Sequence, residues 1–321
     1  MKRWIVGAAL LAGMSIAGSA VAQNKVTMSI VTGGTGGVYY PLGGGLANLL
    51  TKYVPGWQAT AEVTGGSVAN LQLIGSKKAE IAFTMADAAL DAQQGQDKFK
   101  DNKVPQRLLA VLYPNIMHVV SVEGTGITKM SDLKGKRVST GSPGSATEVM
   151  GFRVIEAAGL DKDKDMRRER LGVAESTNAL KDKKIDAYFW VGGLPTAGVT
   201  DLAATPGTKI ALIDHEATVA GMNQKYGPLY AASVIPAGTY PGQAKDNKVA
   251  SVWNLLVVHE SMTDDFAYNI VKTIFEHRDE WAQVHGEAKN VKLDNQKQAN
   301  SPINWHPGAA RYFKEKNVNI M

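Results

Sequence analysis

Two rhythms of apolar residues alternate along this chain, short continuous runs and longer stretches with a spacing of three to four. Val26 to Val31 is a run that predicts a strand, and it leads into the loop Thr32 to Gly37. Val38, Leu42, Leu46, Leu49 and Tyr53 then recur at helical spacing, with Pro41 tolerated in the first turn. The same order returns at Thr60 to Val63, the loop Thr64 to Ser67, and a helix from Val68 to about Lys77. Glu80 to Met85 predicts a strand that ends at Asp87. Leu108 to Tyr113 and Met117 to Val122 predict two strands separated by Pro114-Asn115. Further on come a strand at Lys136 to Thr140, a loop at Gly141 to Ser145, and a helix from Ala146 to Ala158 stopped by Gly159. Ile185 to Val191 predicts a strand that runs into Gly192-Gly193-Leu194-Pro195. Val252 to Val258 predicts another, followed by a helix from about Asp264 to His285. Strands alternating with helices predict an α/β architecture with mostly parallel sheets, and no internal repeat is visible.

Composition narrows the classes. With 44% hydrophobic and 20% charged residues the chain has enough apolar surface to fold. It has no cysteine, which excludes a disulfide framework, a thiolate zinc site, an iron–sulfur cluster and a cysteine nucleophile. Its 321 residues predict two domains. No apolar stretch is long enough to span a bilayer. Lys2 and Arg3 followed by the apolar run Trp4 to Met14 and by Ala20-Val21-Ala22 predict a signal peptide over residues 1–22, with export to a periplasm. The formal charge of +5 falls to about +3 when Lys2 and Arg3 leave, a surplus too small and too scattered to indicate nucleic acid as a partner.

The chemistry lies in three glycine-rich loops, each between a strand and a helix. Glycine lets backbone approach a ligand closely, and a helix N-terminus offers unsatisfied N–H donors and a partial positive charge. One such loop reads as a capped turn; three in one chain read as a binding site for an anion. Nucleotide readings fail on spacing, since Thr32 to Tyr40 holds no G-x-G-x-x-G and Gly141 to Thr147 no P-loop lysine. Gly65-Gly66-Ser67-Val68-Ala69 approaches the G-x-S-x-G of serine hydrolases but lacks its last glycine. None of the six histidines sits in a catalytic context, and His215-Glu216 and His259-Glu260 lack the second histidine of a zinc protease. The expectation is a binding protein without enzymatic activity, cofactor or metal, acting as a monomer. Ser145-Ala-Thr-Glu148 fits a capping box, which by itself explains both residues. Asp87 is a cap or turn residue that could pair a ligand ammonium. Tyr188 reads as core, Trp190 could enter a cleft, and the alternating charges from Asp161 to Arg170 read as a solvated linker. The candidate ligand-binding residues are Thr35, Gly36, Gly37, Tyr39, Gly66, Ser67, Asp87, Ser142, Ser145, Ala146, Thr147, Trp190 and Gly193. Because arginine is absent from the three loops and the first turns after them, the solute is expected to be a small carboxylate held mainly by backbone N–H groups.

The run Gly33-Gly-Thr-Gly-Gly-Val-Tyr-Tyr-Pro-Leu-Gly-Gly44 resembles the opening motif of the TAXI family, the TRAP-associated extracytoplasmic immunogenic solute receptors. Seven further matches follow in the family's order. They are Thr64 to Ser67, Leu133 to Val138, Gly141 to Ser145, Glu156 to Leu160, Ile185 to Gly193, Ile235 to Gly242 and His306 to Tyr312. The resemblance implies the type II periplasmic binding protein fold, two α/β lobes with a central ligand cleft and a hinge crossed twice. On that pattern lobe one is residues 24–115 plus 255–321 and lobe two is 116–254. It also implies delivery of a glutamate-like amino acid or a related organic acid to the membrane permease of an ion-coupled TRAP transporter. A periplasmic partner of a membrane signalling protein would use the same fold. The chain departs from the family at Met85-Ala86-Asp87, where Gln-Ser-Asp is frequent, and at Gly144-Ser-Ala-Thr147, where Gly-Ser-Gly-Thr is frequent. The first departure removes two polar side chains and leaves room for a less polar or amino-free acid.

Overall fold

The computed structural model describes residues 25–321, so the expected signal peptide lies outside the described residues. In chain order the first elements are β1 (Val26–Val31), α1 (Tyr39–Tyr53), β2 (Trp57–Glu62), α2 (Ser67–Gly75), β3 (Ile81–Met85) and α3 (Ala86–Gln94). Next come β4 (Gln106–Val122), β5 (Arg137–Ser139), α4 (Ala146–Ala157), β6 (Arg167–Glu169), α5 (Val173–Lys181), β7 (Ala187–Gly192) and α6 (Ala197–Ala203). They are followed by β8 (Ile210–Leu212), α7 (Thr218–Tyr226), β9 (Tyr230–Ile235), β10 (Asn247–His259), α8 (Asp264–Glu276), α9 (Arg278–Val284) and α10 (Pro307–Glu315).

Ten strands form one sheet in the order β2-β1-β3-β10-β4-β7-β5-β6, with β8 on β4 and β9 on β10. The ladders among β1, β2 and β3 and those among β5, β6 and β7 are parallel, while every ladder made by β4 or β10 is antiparallel. The sheet is therefore mixed rather than mostly parallel. Its spine is the pair of long strands β4 and β10, which run from one half of the molecule into the other. Residues 106–111 of β4 face 255–259 of β10 beside β3, whereas residues 116–121 of β4 pair with β7 and 247–252 of β10 pair with β9. The two strands expected on either side of Pro114-Asn115 are one strand that changes neighbours there. Pro114 opposes Trp253, next to a register shift between Trp253 and Leu255. A proline has no N–H to give, so the ladder lacks that donor at this crossing.

Apolar helix faces cover both sides of the sheet. Leu42, Leu46 and Leu50 of α1 and Ile270 and Ile274 of α8 bury fully against one face, joined by Trp281 of α9, whose Nε1 donates to the Leu42 carbonyl at 2.8 Å. Each such aliphatic side chain contributes about 1.5–3 kcal/mol. The helix expected from Asp264 to His285 breaks at His277, where φ is −121°, into α8 and α9. That turn lets Trp281 come back under α1. The charged stretch 161–170 is not a linker. It turns at Asp161, which accepts from the N–H groups of Asp163 and Lys164, and then adds β6 to the edge of the sheet beside β5.

Candidate functional site

Four helices aim their N-termini at one cavity of about 360 Å³ between the two halves: α1 and α2 from the first, α4 and α5 from the second. The residues before α1, α2 and α5 are Val38, Gly66 and Gly172, and none of these helices has a side-chain cap. In α2 the Ala69 N–H goes to the Gly144 carbonyl; the other first-turn N–H groups of these three helices have no partner among the described residues, and the helix dipoles add positive potential where they converge. In α4 the Ser145 hydroxyl accepts from the Glu148 N–H at 3.1 Å and donates to the Ser142 carbonyl at 2.7 Å. The N–H groups of Ala146 and Thr147, ahead of the first intrahelical bond, stay open to the cavity. The reciprocal half of the expected capping box is not formed. Glu148 instead receives Arg170 at 2.7 and 3.0 Å and Arg168 at 3.4 Å, and the Ser145 N–H goes to the Ser142 carbonyl. The carboxylate at this helix start is thus neutralised by arginines.

The cavity is closed by contacts across the halves. The Ala69 N–H donates to the Gly144 carbonyl at 3.0 Å, the Ser142 hydroxyl to the Gly65 carbonyl at 3.1 Å, and the Gly198 N–H to the Gly36 carbonyl at 3.3 Å. Glycine is required at these seams. A Cβ on Gly65 would stand 2.4 Å from the Pro143 carbonyl oxygen, and one on Gly36 3.0 Å from Val173. Behind the cavity, Asn70 ties the loops in place by donating to the Thr32 and Phe83 carbonyls at 2.6 and 2.8 Å.

Of the residues expected at the site, Thr35, Gly36, Gly37, Tyr39, Gly66, Ser67, Ser142, Ser145, Ala146, Thr147 and Trp190 line this cavity. Asp87 and Gly193 do not. The strand β3 ends at Met85 and helix α3 begins at once, so Asp87 falls in its first turn and points behind the cleft. There its fully buried carboxylate accepts from the Tyr230 hydroxyl at 3.0 Å and lies 3.8 Å from the Arg153 guanidinium, which also pairs with Asp91. Burial first, and then the crowding of two carboxylates, push Asp91 up to about 6, and burial likewise raises Asp87. Gly193 faces away too, against Glu287 and the Tyr113 ring, and Glu287 accepts from the Leu194 N–H at 2.6 Å.

Four contributors escaped the sequence reading. The start of α5 at Gly172 had a signal, a glycine before a helical run that contains Glu175. Arg170 was hidden in the charged stretch. Tyr113 and Asn115 flank Pro114 on β4, and nothing local marks them, because only the crossing of the two long strands brings them beneath the cavity. Both are buried, and the Tyr113 hydroxyl and the Asn115 Oδ1 have no hydrogen-bond partner among the described residues. A buried polar group left without a partner costs about 1–3 kcal/mol. Their neighbours are satisfied: Tyr39 donates to Asn254, whose Nδ2 donates to the Tyr113 carbonyl at 3.2 Å, and Ser67 Oγ accepts from the Met85 N–H at 3.2 Å. Arg170 and Glu175 carry the only formal charges among the described lining residues, and no histidine is among them.

Solved structures share this architecture. A protein from Bordetella bronchiseptica RB50 superposes with a TM-score of 0.54 at 18% identity over 92% of this chain and 82% of that one. The zinc-bound ligand-binding component of an ABC-type import system from Staphylococcus aureus gives 0.50 at 11% identity over 92% and 93%. A protein of glutathione import via GshT and the cystine ABC importer TcyBC of Streptococcus mutans gives 0.50 at 11% over 83% and 95%. At such identities the likeness concerns the fold, which is the type II periplasmic binding protein fold expected from the sequence. Among the described residues no helix is long and apolar enough to cross a membrane. Residues 30–316 match the NMT1-like family, and the chain belongs to that family.

Proposed function

We propose that this protein is an exported solute receptor that closes on a small carboxylate and presents it to a membrane permease. The observation that carries this reading is the convergence of four helix N-termini, three of them without a side-chain cap, on one closed cavity. The first residues of α4 give Ala146 and Thr147 as donors, and those of α1, α2 and α5 supply the rest. Hydrogen bonds to a charged group contribute about 1.5–3 kcal/mol each, so three or four of them, less the costs of association, reach the roughly 8 kcal/mol of a micromolar Kd. Arg170 is not a clamp in this reading, since its Nε and Nη2 are held by Glu148. The chemistry is binding rather than catalysis, because Ser67 has no histidine among the described residues beside it to act as base.

The moving parts are residues 25–115 plus 255–321 and residues 116–254, hinged where β4 and β10 change neighbours at Pro114 and Trp253. Closure removes the solute from water and creates a surface that exists only in the loaded form. The order of the glycine motifs favours the ion-coupled permease of a TRAP transporter as partner. An ABC-type permease is the second reading, favoured by the import systems named for the similar structures. Uptake in reconstituted vesicles driven by an ion gradient without ATP separates the two. Calorimetric titration with an acid and its amide tests the site itself: tight binding of the acid alone is expected, and equal affinity for both sinks the carboxylate reading. Small-angle scattering tests closure, with a smaller radius of gyration expected at saturating solute.

A further inference from the structure

We propose that the solute carries, besides its carboxylate, a neutral oxygen function that docks on Tyr113 and Asn115, making it a hydroxy or oxo acid with an apolar body rather than an amino acid. This rests on the carboxylate reading of the cleft and narrows it. Tyr113 and Asn115 are two apart on β4 and both line the cavity. They are 0% and 2% exposed, and the Tyr113 hydroxyl and Asn115 Oδ1 have no partner among the described residues. The neighbouring Asn254 and Ser67 are paired, so these two oxygens are the unpaired buried polar atoms among the described lining residues. A phenol and a primary amide together offer donors and acceptors, which suits a hydroxyl or a keto oxygen.

An ammonium is not served here. The one carboxylate that sequence position offered, Asp87, is turned behind the cleft onto Tyr230 and Arg153. Glu287, behind Tyr113, has its two oxygens taken by the Leu194 N–H and the Asn290 amide. Glu175 is exposed on the rim rather than at the floor. A cation buried without a paired carboxylate is costly. Val38, Met85, Leu171, Val173 and Trp190 give the wall an apolar stretch that suits a hydrocarbon body.

The test is calorimetric titration of the mature protein, stripped of solute, against panels built on hexanoate and 3-phenylpropanoate. Each panel contains the unsubstituted acid, its hydroxy and oxo derivatives at each chain carbon, the 2-amino acid, and the amide of each. A hydroxy or oxo acid is expected to bind about tenfold or more tighter than the unsubstituted and amino acids of its panel. Tyr113→Phe and Asn115→Leu should each erase that advantage, so that the substituted and unsubstituted acids of a panel bind alike. The same variants, free of solute, should melt at or above the parent temperature, because each removes an unpaired buried group. A panel led by the amino acid or by the unsubstituted acid overturns the proposal, as does a preference that survives in both variants, which would mean that water alone serves the two residues. Acid and amide binding alike, or no acid binding, overturns the carboxylate reading instead, and this proposal with it.

Discussion

Trp190, at the end of β7 in the second half, lays its ring against Gly37 at the start of α1 in the first, so closely that a Cβ on Gly37 would stand 2.8 Å from it. The indole is held in that pose by its Nε1, which donates to Thr196 Oγ1 at 3.0 Å. The aromatic residue therefore forms part of the cavity wall and also sets how near the two halves can come. Gly37→Val adds an isopropyl group at this seam. We expect it to leave the melting temperature within a few degrees, since neither half has to repack, and to weaken solute binding by about a hundredfold or more. Scattering should show an open particle even at high solute concentration. A variant that still closes and binds like the parent would contradict the seam.

Ala146→Pro removes one donor from the cavity without breaking the helix, because proline is compatible with the first position of a helix, although its ring adds carbons at a buried position. Binding of an acid should weaken by about tenfold or more, with a stability loss of about 1–3 kcal/mol from the added ring. Ser145→Ala should differ in affinity. Its hydroxyl is spent on the Glu148 N–H and the Ser142 carbonyl, so the loss is about 1 kcal/mol of stability and little affinity. Calorimetry reads the difference in affinity directly, and chemical denaturation reads the cost of each variant to the fold.

Asp87 and Asp91 belong to the structure behind the cleft rather than to the solute. Asp87→Asn should cost about 1–3 kcal/mol of stability and leave the ranking of acids over amides intact. Arg153→Leu strands two buried carboxylates and should cost about 3–5 kcal/mol. A shift of solute preference in Asp87→Asn would return that residue to the binding site.

Stability should fall on mild acidification. Burial holds the imidazoles of His118 and His215 down at about 4, against an ordinary 6.5. His118 is neutral between the Ile116 carbonyl and the Tyr240 hydroxyl, at 2.9 and 2.8 Å. Their contribution is complete above about pH 6.5 and is lost as the pH falls toward 4, up to about 3 kcal/mol apiece. Asp91, raised to about 6, works with the opposite sign, since its contribution is present at low pH and lost as the pH rises through about 6. Asp91→Asn should therefore steepen the acid loss, and His118→Gln should flatten it. Melting temperatures between pH 4.5 and 7.5 test both slopes.

Much of this protein is written locally. The glycine loops before α1, α2 and α4, the helical spacing from Val38 to Tyr53 and the Ser145 cap act within a turn or two, so the chain itself dictates that helices begin there. Eleven of the thirteen expected site residues consequently reach the cavity wall. What lies beyond local reach was decided by packing. Asp87 is lost to the site because Arg153 arrives from α4 and Tyr230 from β9, and a buried carboxylate goes to the nearest cation. Arg153 meets Asp91 across 62 positions of sequence. Two strands that read as separate become one because β10, more than a hundred residues later, supplies a ladder on both sides of Pro114. Tyr113 and Asn115 acquire their place beneath the cavity from that same crossing, since a strand has no means of announcing which of its faces will lie under a cleft until its neighbours have formed.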